Sequence, residues 1–245
     1  MSDGVRPGSD WIVEPPPTPT LPIVGEEGRF PVVRIWCVGR NYEAHAREME
    51  SASDRRSKVG APFFFLKPAS ALAPGGGPVP YPDDTGLLHH EVELVVALGM
   101  RGRKLSESEA GSLVYGYGVG LDLTRRDRQT EAKARGRPWS LAKGFDRSAP
   151  CSALMPESRV GPLRRGRITA AVNGEIRQDA DLSEMIWSVP RTIALLSRQV
   201  EVLPGDLLFT GTPAGVGPVE VGDVVTAEVA GVGRLEVSVE PRDGG

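Results

Sequence analysis

The 245-residue chain is poor in cysteine and in excess positive charge. Its two cysteines, Cys37 and Cys151, make no disulfide framework and point to a reducing compartment, by default the cytoplasm. A formal net charge of −3 argues against a nucleic-acid or membrane-surface role. The Arg164-Arg165-Gly166-Arg167 cluster is too short for a binding stripe and reads as a solvated turn. No run approaches the ~18 apolar residues of a membrane span. The first residues lack the basic-then-apolar layout of a secretory leader, so none is expected. Repeats of fixed period are missing, and Gly211–Gly217 lacks the Gly-Lys-Ser/Thr ending of a phosphate-binding loop. With 40% hydrophobic and 25% charged residues, the composition is that of a soluble globular protein long enough for a sizeable core.

Punctuation by proline and glycine divides what is there. Residues 1–24, with Pro15-Pro16-Pro17, are expected to form an irregular arm, and residues 25–245 a single domain. Phe30–Gly39 reads as a strand, Asn41–Met49 as a short helix, and Pro62–Pro68 as a short buried strand. The polar stretch Glu50–Ala61 between them is expected to be a mobile loop. Leu88–Leu98 reads as one strand and Tyr115–Leu123 as another, unusually rich in glycine. Ser106 and Glu109 have capping-box spacing for a helix to about Val114, and Thr124 suits the cap of a helix running to Arg135 and closed by Gly136. Asn173-Gly174 marks a type I′ hairpin, and Ser188 with Pro190 starts a helix to Gln199. Strands dominate and βαβ alternation is missing, so the fold class is α+β, mostly β.

Leu88–Leu98 is the most informative segment. Strand side chains alternate, so Glu91 and Glu93 share a face while Val92, Leu94 and Val96 face a core. Two neighbouring carboxylates are costly to bury unless a cation neutralises them, which makes this a candidate site for Mg²⁺ or Mn²⁺. The pattern also suits a solvated sheet face. Asp122, between Leu121 and Leu123, supplies a third oxygen donor, though it can equally cap the following helix. Three acids leave positions on an octahedral ion for water and substrate.

Other side chains suit an anionic substrate beside such an ion. Arg126 and Gln129 share a helix face and can grip carboxylate or carbonyl oxygens; an exposed basic helix start is the plainer reading. His45 and Glu48 are also neighbours on a helical turn, either an ordinary ion pair or an oriented imidazole that can act as general base. Lys143, in an apolar stretch, can donate to a developing oxyanion or snorkel to solvent. The N–H groups of Gly211–Gly217 and the Thr212 hydroxyl can bind a carboxylate, or simply form a tight turn.

From about Arg29 to Val239 these pieces occur in an order that resembles the fumarylacetoacetate hydrolase family. The matching segments are Val38–Tyr42, His45–Met49, Phe63–Pro68, His89–Val96, Leu121–Gln129, Trp139–Phe145 and Leu208–Gly217. The resemblance is greatest to short bacterial fumarylpyruvate hydrolases, near the acylpyruvase and oxaloacetate decarboxylase branch. It implies a mixed β-sandwich roll, a homodimer, and Mg²⁺ (or Mn²⁺) on Glu91, Glu93 and Asp122. His45, Glu48 and Lys143 would be catalytic, with the dyad on a lid, and Arg40, Arg126, Gln129 and Thr212 would hold substrate. The longer fumarylacetoacetases carry a further aspartate ligand shortly before the histidine, where this chain has Cys37-Val38-Gly39. The implied activity is cleavage of the C3–C4 bond of a 2,4-dioxo acid, most simply 3-fumarylpyruvate, to fumarate and pyruvate in gentisate breakdown. Oxaloacetate decarboxylation, or a broader acylpyruvase activity, is the rival. A non-catalytic binding module of the same fold would have lost site residues, and none is missing.

Overall fold

Val92–Leu98 is buried along its whole length, and the molecule is organised around it. The computed structural model describes residues 11–48 and 61–242. The chain passes through β1 (Thr20–Pro22), β2 (Arg29–Pro31), β3 (Arg34–Gly39), α1 (Glu43–Glu48), β4 (Phe63–Lys67), β5 (Leu72–Pro74), β6 (Gly77–Pro80), β7 (Leu88–His90) and β8 (Val92–Leu98). Then come α2 (Glu107–Gly111), β9 (Val114–Leu121), β10 (Thr124–Arg125), α3 (Arg126–Ala134), α4 (Ser140–Lys143), β11 (Ala149–Cys151), β12 (Met155–Pro156) and α5 (Glu157–Val160). The last part holds β13 (Arg167–Val172), β14 (Glu175–Asp181), α6 (Val189–Gln199), β15 (Asp206–Phe209), β16 (Gly217–Val219), β17 (Val224–Val229) and β18 (Gly233–Glu240).

The main sheet has the order β4-β3-β15-β8-β9-β11-β5, with β12 paired to β9. A second sheet, β14-β13-β17-β18-β6, packs on it, giving the mostly β roll expected from the sequence. Val92, Leu94 and Val96 face the larger core with Val225, Ala227 and Leu235 of the second sheet, as the alternation predicts. The other face of β8 is buried too, because Val95 and Ala97 join Ile35, Cys37, Leu207 and Phe209 in a second core. Glu93 lies on that second face, where the apolar packing gives way to the site.

The glycine density of β9 has a steric reason. Gly120 pairs with Glu93, and a Cβ there would come within 2.6 Å of the Phe209 ring. At Gly116 a Cβ would meet the Met155 carbonyl at 2.5 Å, so β12 can lie against the strand only because no side chain intervenes.

Several elements depart from the sequence expectations. Leu88–Leu98 is not one strand: it breaks at Glu91, because β7 pairs with β10 and β16 while β8 pairs with β9 and β15. Phe30–Gly39 also splits, and its first part pairs with Thr20–Pro22, so the expected irregular arm contributes a strand whose Leu21 is fully buried. The Phe63–Lys67 strand is an edge strand with Phe63 and Leu66 exposed rather than a buried one. Thr124 does not cap a helix; it lies in β10 and its hydroxyl donates to the Asp122 carbonyl at 2.9 Å. The Asn41–Met49 helix is confined to Glu43–Glu48, and the Ser106 helix ends at Gly111 with its capping box intact. The Asn173-Gly174 turn has φ of 52° and 84°, as a type I′ hairpin requires. Ser188 occupies the N-cap of α6 without a side-chain hydrogen bond. The expected mobile loop, Glu50–Ala61, falls outside the described residues except for Ala61. Among the described residues no helix is long and apolar enough to cross a membrane.

Candidate active site

The antiparallel register of β8 and β9 builds the acidic centre. Val92 lies opposite Leu121, and the Asp122 N–H donates to the Glu91 carbonyl at 2.8 Å, so the residues just outside this pair are the two acids. One carboxylate oxygen from each of Glu91, Glu93 and Asp122 lies within 4.8 Å of the others, and all three residues are buried. The solvated-face alternative for Glu91 and Glu93 is thereby excluded, and Asp122 caps no helix.

Two lysines neutralise this charge. Lys143 Nζ bridges Glu91 Oε2 at 2.8 Å and Asp122 Oδ2 at 2.7 Å. Burial would depress its pKa, but Asp122 and Glu91 outweigh burial and hold it above the ordinary value. Lys67, to which sequence reasoning gave no role, lies 2.8 Å from Asp122 Oδ1. Its three protons are directed to the carbonyls of Leu123, Lys143 and Ser148, so Oδ1 gains a nearby charge but accepts no hydrogen bond. Burial raises the Glu93 pKa well above the usual carboxylate range, reinforced by Asp122 and Glu91. For Glu91 burial acts in the same upward sense, but Lys143 and Arg126 prevail and hold it well below that range.

This donor set fits a hard divalent ion. It offers three buried carboxylates, no sulfur or imidazole, one orphaned oxygen on Asp122, and a third acid that strains to remain charged without a cation.

The cleft at this centre brings together nine of the ten residues singled out from the sequence: Arg40, His45, Glu91, Glu93, Asp122, Arg126, Gln129, Lys143 and Thr212. The tenth, Glu48, stands behind His45, its Oε2 3.2 Å from His45 Nδ1. The Gly215 N–H donates to Glu48 at 3.2 Å, and these two hydrogen bonds, His45 foremost, lower the Glu48 pKa. Arg40 reaches the cleft from a left-handed backbone, φ 60°, at the end of β3.

Arg126 is committed more to the site than to open space. It pairs with Glu91, donates to Gln129 Oε1 at 2.5 Å, and approaches His89 Nδ1 at 3.3 Å. Burial, then the Arg126 charge, pushes His89 down to about 4. Of the two readings of the glycine loop, the structure follows the structural one. Gly211, at φ 93°, donates its N–H to Glu93 Oε2 at 2.7 Å, and Gly215 serves Glu48, so both amides hold protein carboxylates rather than facing substrate. Thr212 remains on the cleft wall, its Oγ1 accepting from Gln178 Nε2 at 2.8 Å.

Gln178 and Asn41 are supports that sequence reasoning missed. Gln178 also donates to the Pro213 carbonyl, and its Oε1 accepts from the Val92 N–H, with His90 Nδ1 3.0 Å away. Asn41 donates to the carbonyls of Trp187 and Thr210 and accepts from the Trp187 N–H. Both cysteines are free and buried, and burial pushes the Cys151 thiol up to about 12.

A His–Glu pair beside a buried acidic triad, at the edge of a β-roll, is the layout of an enzyme pocket built around a hard divalent cation. The chain belongs to the fumarylacetoacetate hydrolase family: the model described as Fumarylacetoacetate (FAA) hydrolase C-terminal matches residues 34–240. The bovine mitochondrial oxaloacetate tautomerase is 43% identical over 217 residues, covering 86% of this chain and 96% of the relative. A fumarylpyruvate hydrolase from a Ralstonia species is 40% identical over 181 residues, covering 74% and 94%. The crystal structure of fumarylpyruvate hydrolase from Pseudomonas aeruginosa in complex with Mn²⁺ and pyruvate superposes with a TM-score of 0.91. It is 46% identical, with coverage of 95% of this chain and 100% of that one.

Proposed function

We propose that the protein is a divalent-metal-dependent hydrolase that cleaves the C3–C4 bond of 3-fumarylpyruvate to fumarate and pyruvate, as a cytoplasmic homodimer in gentisate breakdown. The observation that carries this reading is the His45–Glu48 pair, held at the cleft wall by the Gly215 amide and facing the acidic triad. Decarboxylation needs no attacking water, whereas hydrolysis requires a base placed in this way.

Glu91, Glu93 and Asp122 would hold the ion, which when bound polarises oxygens of the oxo acid and offsets negative charge. His45, oriented by Glu48, takes a proton from a water that adds to the C4 carbonyl. The C3–C4 bond then breaks, and the proton returns to C3 of the pyruvate fragment. Lys143 stays cationic and stabilises enolate charge. Thr212, Arg40, Arg126 and Gln129 orient the substrate's oxygens. One water is consumed, its oxygen ending in the new carboxylate of fumarate.

The second reading, an activity on oxaloacetate, is supported by the 43% identity to the tautomerase. Turnover in ¹⁸O-water separates the two. Hydrolysis puts one ¹⁸O into fumarate; an enzyme that only exchanges the C3 proton of oxaloacetate releases no fumarate from the longer substrate and overturns the hydrolase reading.

A further inference from the structure

We infer that Lys133, Trp139 and Phe63 form a subsite for the far end of the substrate, with Lys133 gripping a second carboxylate and the two rings holding a planar conjugated chain. This rests on the hydrolase reading above and specifies what it acts on: a long 2,4-dioxo diacid rather than a short oxo acid.

All three residues line the same cleft as the acids. On α3, Arg126 and Gln129 are buried against the centre, and Lys133 follows at seven positions from Arg126, on the same helix face. Seven residues at ~1.5 Å each place Lys133 about 10 Å along the helix from the arginine that pairs with Glu91. At C–C bond lengths near 1.5 Å, an extended seven-carbon diacid spans roughly 7–8 Å between its carboxyl carbons, and a four-carbon one roughly 4 Å. With one end at the triad, the longer molecule carries its second carboxylate nearly twice as far along the cleft toward Lys133 as the four-carbon one does.

The wall between these two ends is aromatic. Trp139 meets Phe63 edge-on, with centroids 5.2 Å apart at 87°, and Phe65 at 5.8 Å. Lys133 Nζ sits 5.3 Å from the Trp139 centroid, so the ring positions the ammonium. Phe63 takes its place because residue 39 has no side chain; a Cβ there would fall 2.0 Å from the Phe63 ring. A flat, conjugated enone is complementary to such a wall.

The test compares Mn²⁺-loaded wild type with Lys133→Met, Lys133→Arg and Gly39→Ala, on fumarylpyruvate and on acetylpyruvate, which ends in a methyl group. Lys133→Met should lower kcat/KM for fumarylpyruvate about 10–100-fold, the range for losing a charge-assisted hydrogen bond, mostly through KM. Its loss on acetylpyruvate should stay below about threefold, and Lys133→Arg should restore most of the difference. Gly39→Ala, which displaces Phe63, should reduce the preference for the longer substrate. Calorimetric binding in a His45→Ala background reads the subsite without turnover. Hydrolysis of fumarylpyruvate with equal losses on both substrates would overturn the subsite alone. A binding contrast that depends on Lys133, without hydrolysis in the wild type, would support the subsite and overturn the catalytic reading. Absence of both overturns both.

Discussion

Lys67 Nζ lies 2.8 Å from Asp122 Oδ1, yet donates its protons to three backbone carbonyls instead. It thus joins β4, the turn after β9 and α4 by hydrogen bonds while lending charge to an oxygen left open for a cation. Replacing it by methionine leaves those carbonyls and part of a buried carboxylate uncompensated. Lys67→Met should cost about 3–5 kcal/mol in urea unfolding of EDTA-treated protein. A loss below about 1 kcal/mol would show that Lys67 is not the tie described.

Removing the ion should expose the strain in the triad. Saturating Mn²⁺ at ~1,000 times its Kd contributes about 4 kcal/mol to the folded state, so EDTA should lower Tm by several degrees. Asp122→Asn should abolish that response, because the orphaned oxygen is its most available ligand. An unchanged Mn²⁺ response in this variant would place the ion elsewhere.

His45→Ala should reduce kcat by about 10²–10⁴-fold with little change in Mn²⁺ affinity. Glu48→Gln should retain more activity, since it keeps the shape but not the charge behind the imidazole. Glu48 has a lowered pKa in the fold, so its ionisation contributes stability above the carboxyl's ordinary 4.5 and loses it as pH falls through the lowered value. The stability difference between wild type and Glu48→Gln should therefore survive from pH 7 to 5 and shrink only below about 4.5. A difference that instead vanished between pH 7 and 5 would contradict this assignment.

Gln178 ties the Thr212 loop to the first residue of β8. Gln178→Leu strands buried partners on both sides, at a cost of roughly 1–3 kcal/mol. It should also raise KM more than it lowers kcat, because Thr212 loses its anchor while the dyad does not. Urea melts and steady-state kinetics on the same preparation check both expectations.

The acids and the dyad were legible because their signals are local. Alternation puts Glu91 and Glu93 on one face, and helical spacing puts His45 beside Glu48. The Ser106 capping box and the Asn173-Gly174 turn were readable for the same reason. What was hidden depends on distant pairing. The break at Glu91 arises because flanking strands choose different partners, which no window around residue 91 contains. Lys67, closing an aromatic strand, looks like a snorkelling lysine until the carbonyls of three other segments surround it. Gln178 sits in a polar stretch without apolar alternation, so nothing marked it as fully buried. The glycine loop was found, but its amides turn inward to Glu93 and Glu48, and direction is not encoded in glycine content.

The most direct test of the central claim follows the ultraviolet absorbance of enolised fumarylpyruvate with purified protein, with Mg²⁺ or Mn²⁺ and with EDTA. Metal-dependent decay yielding fumarate and pyruvate in equal amounts is the expected result. No decay under any metal condition, alongside rapid oxaloacetate tautomerisation or CO₂ release by the same preparation, would contradict it.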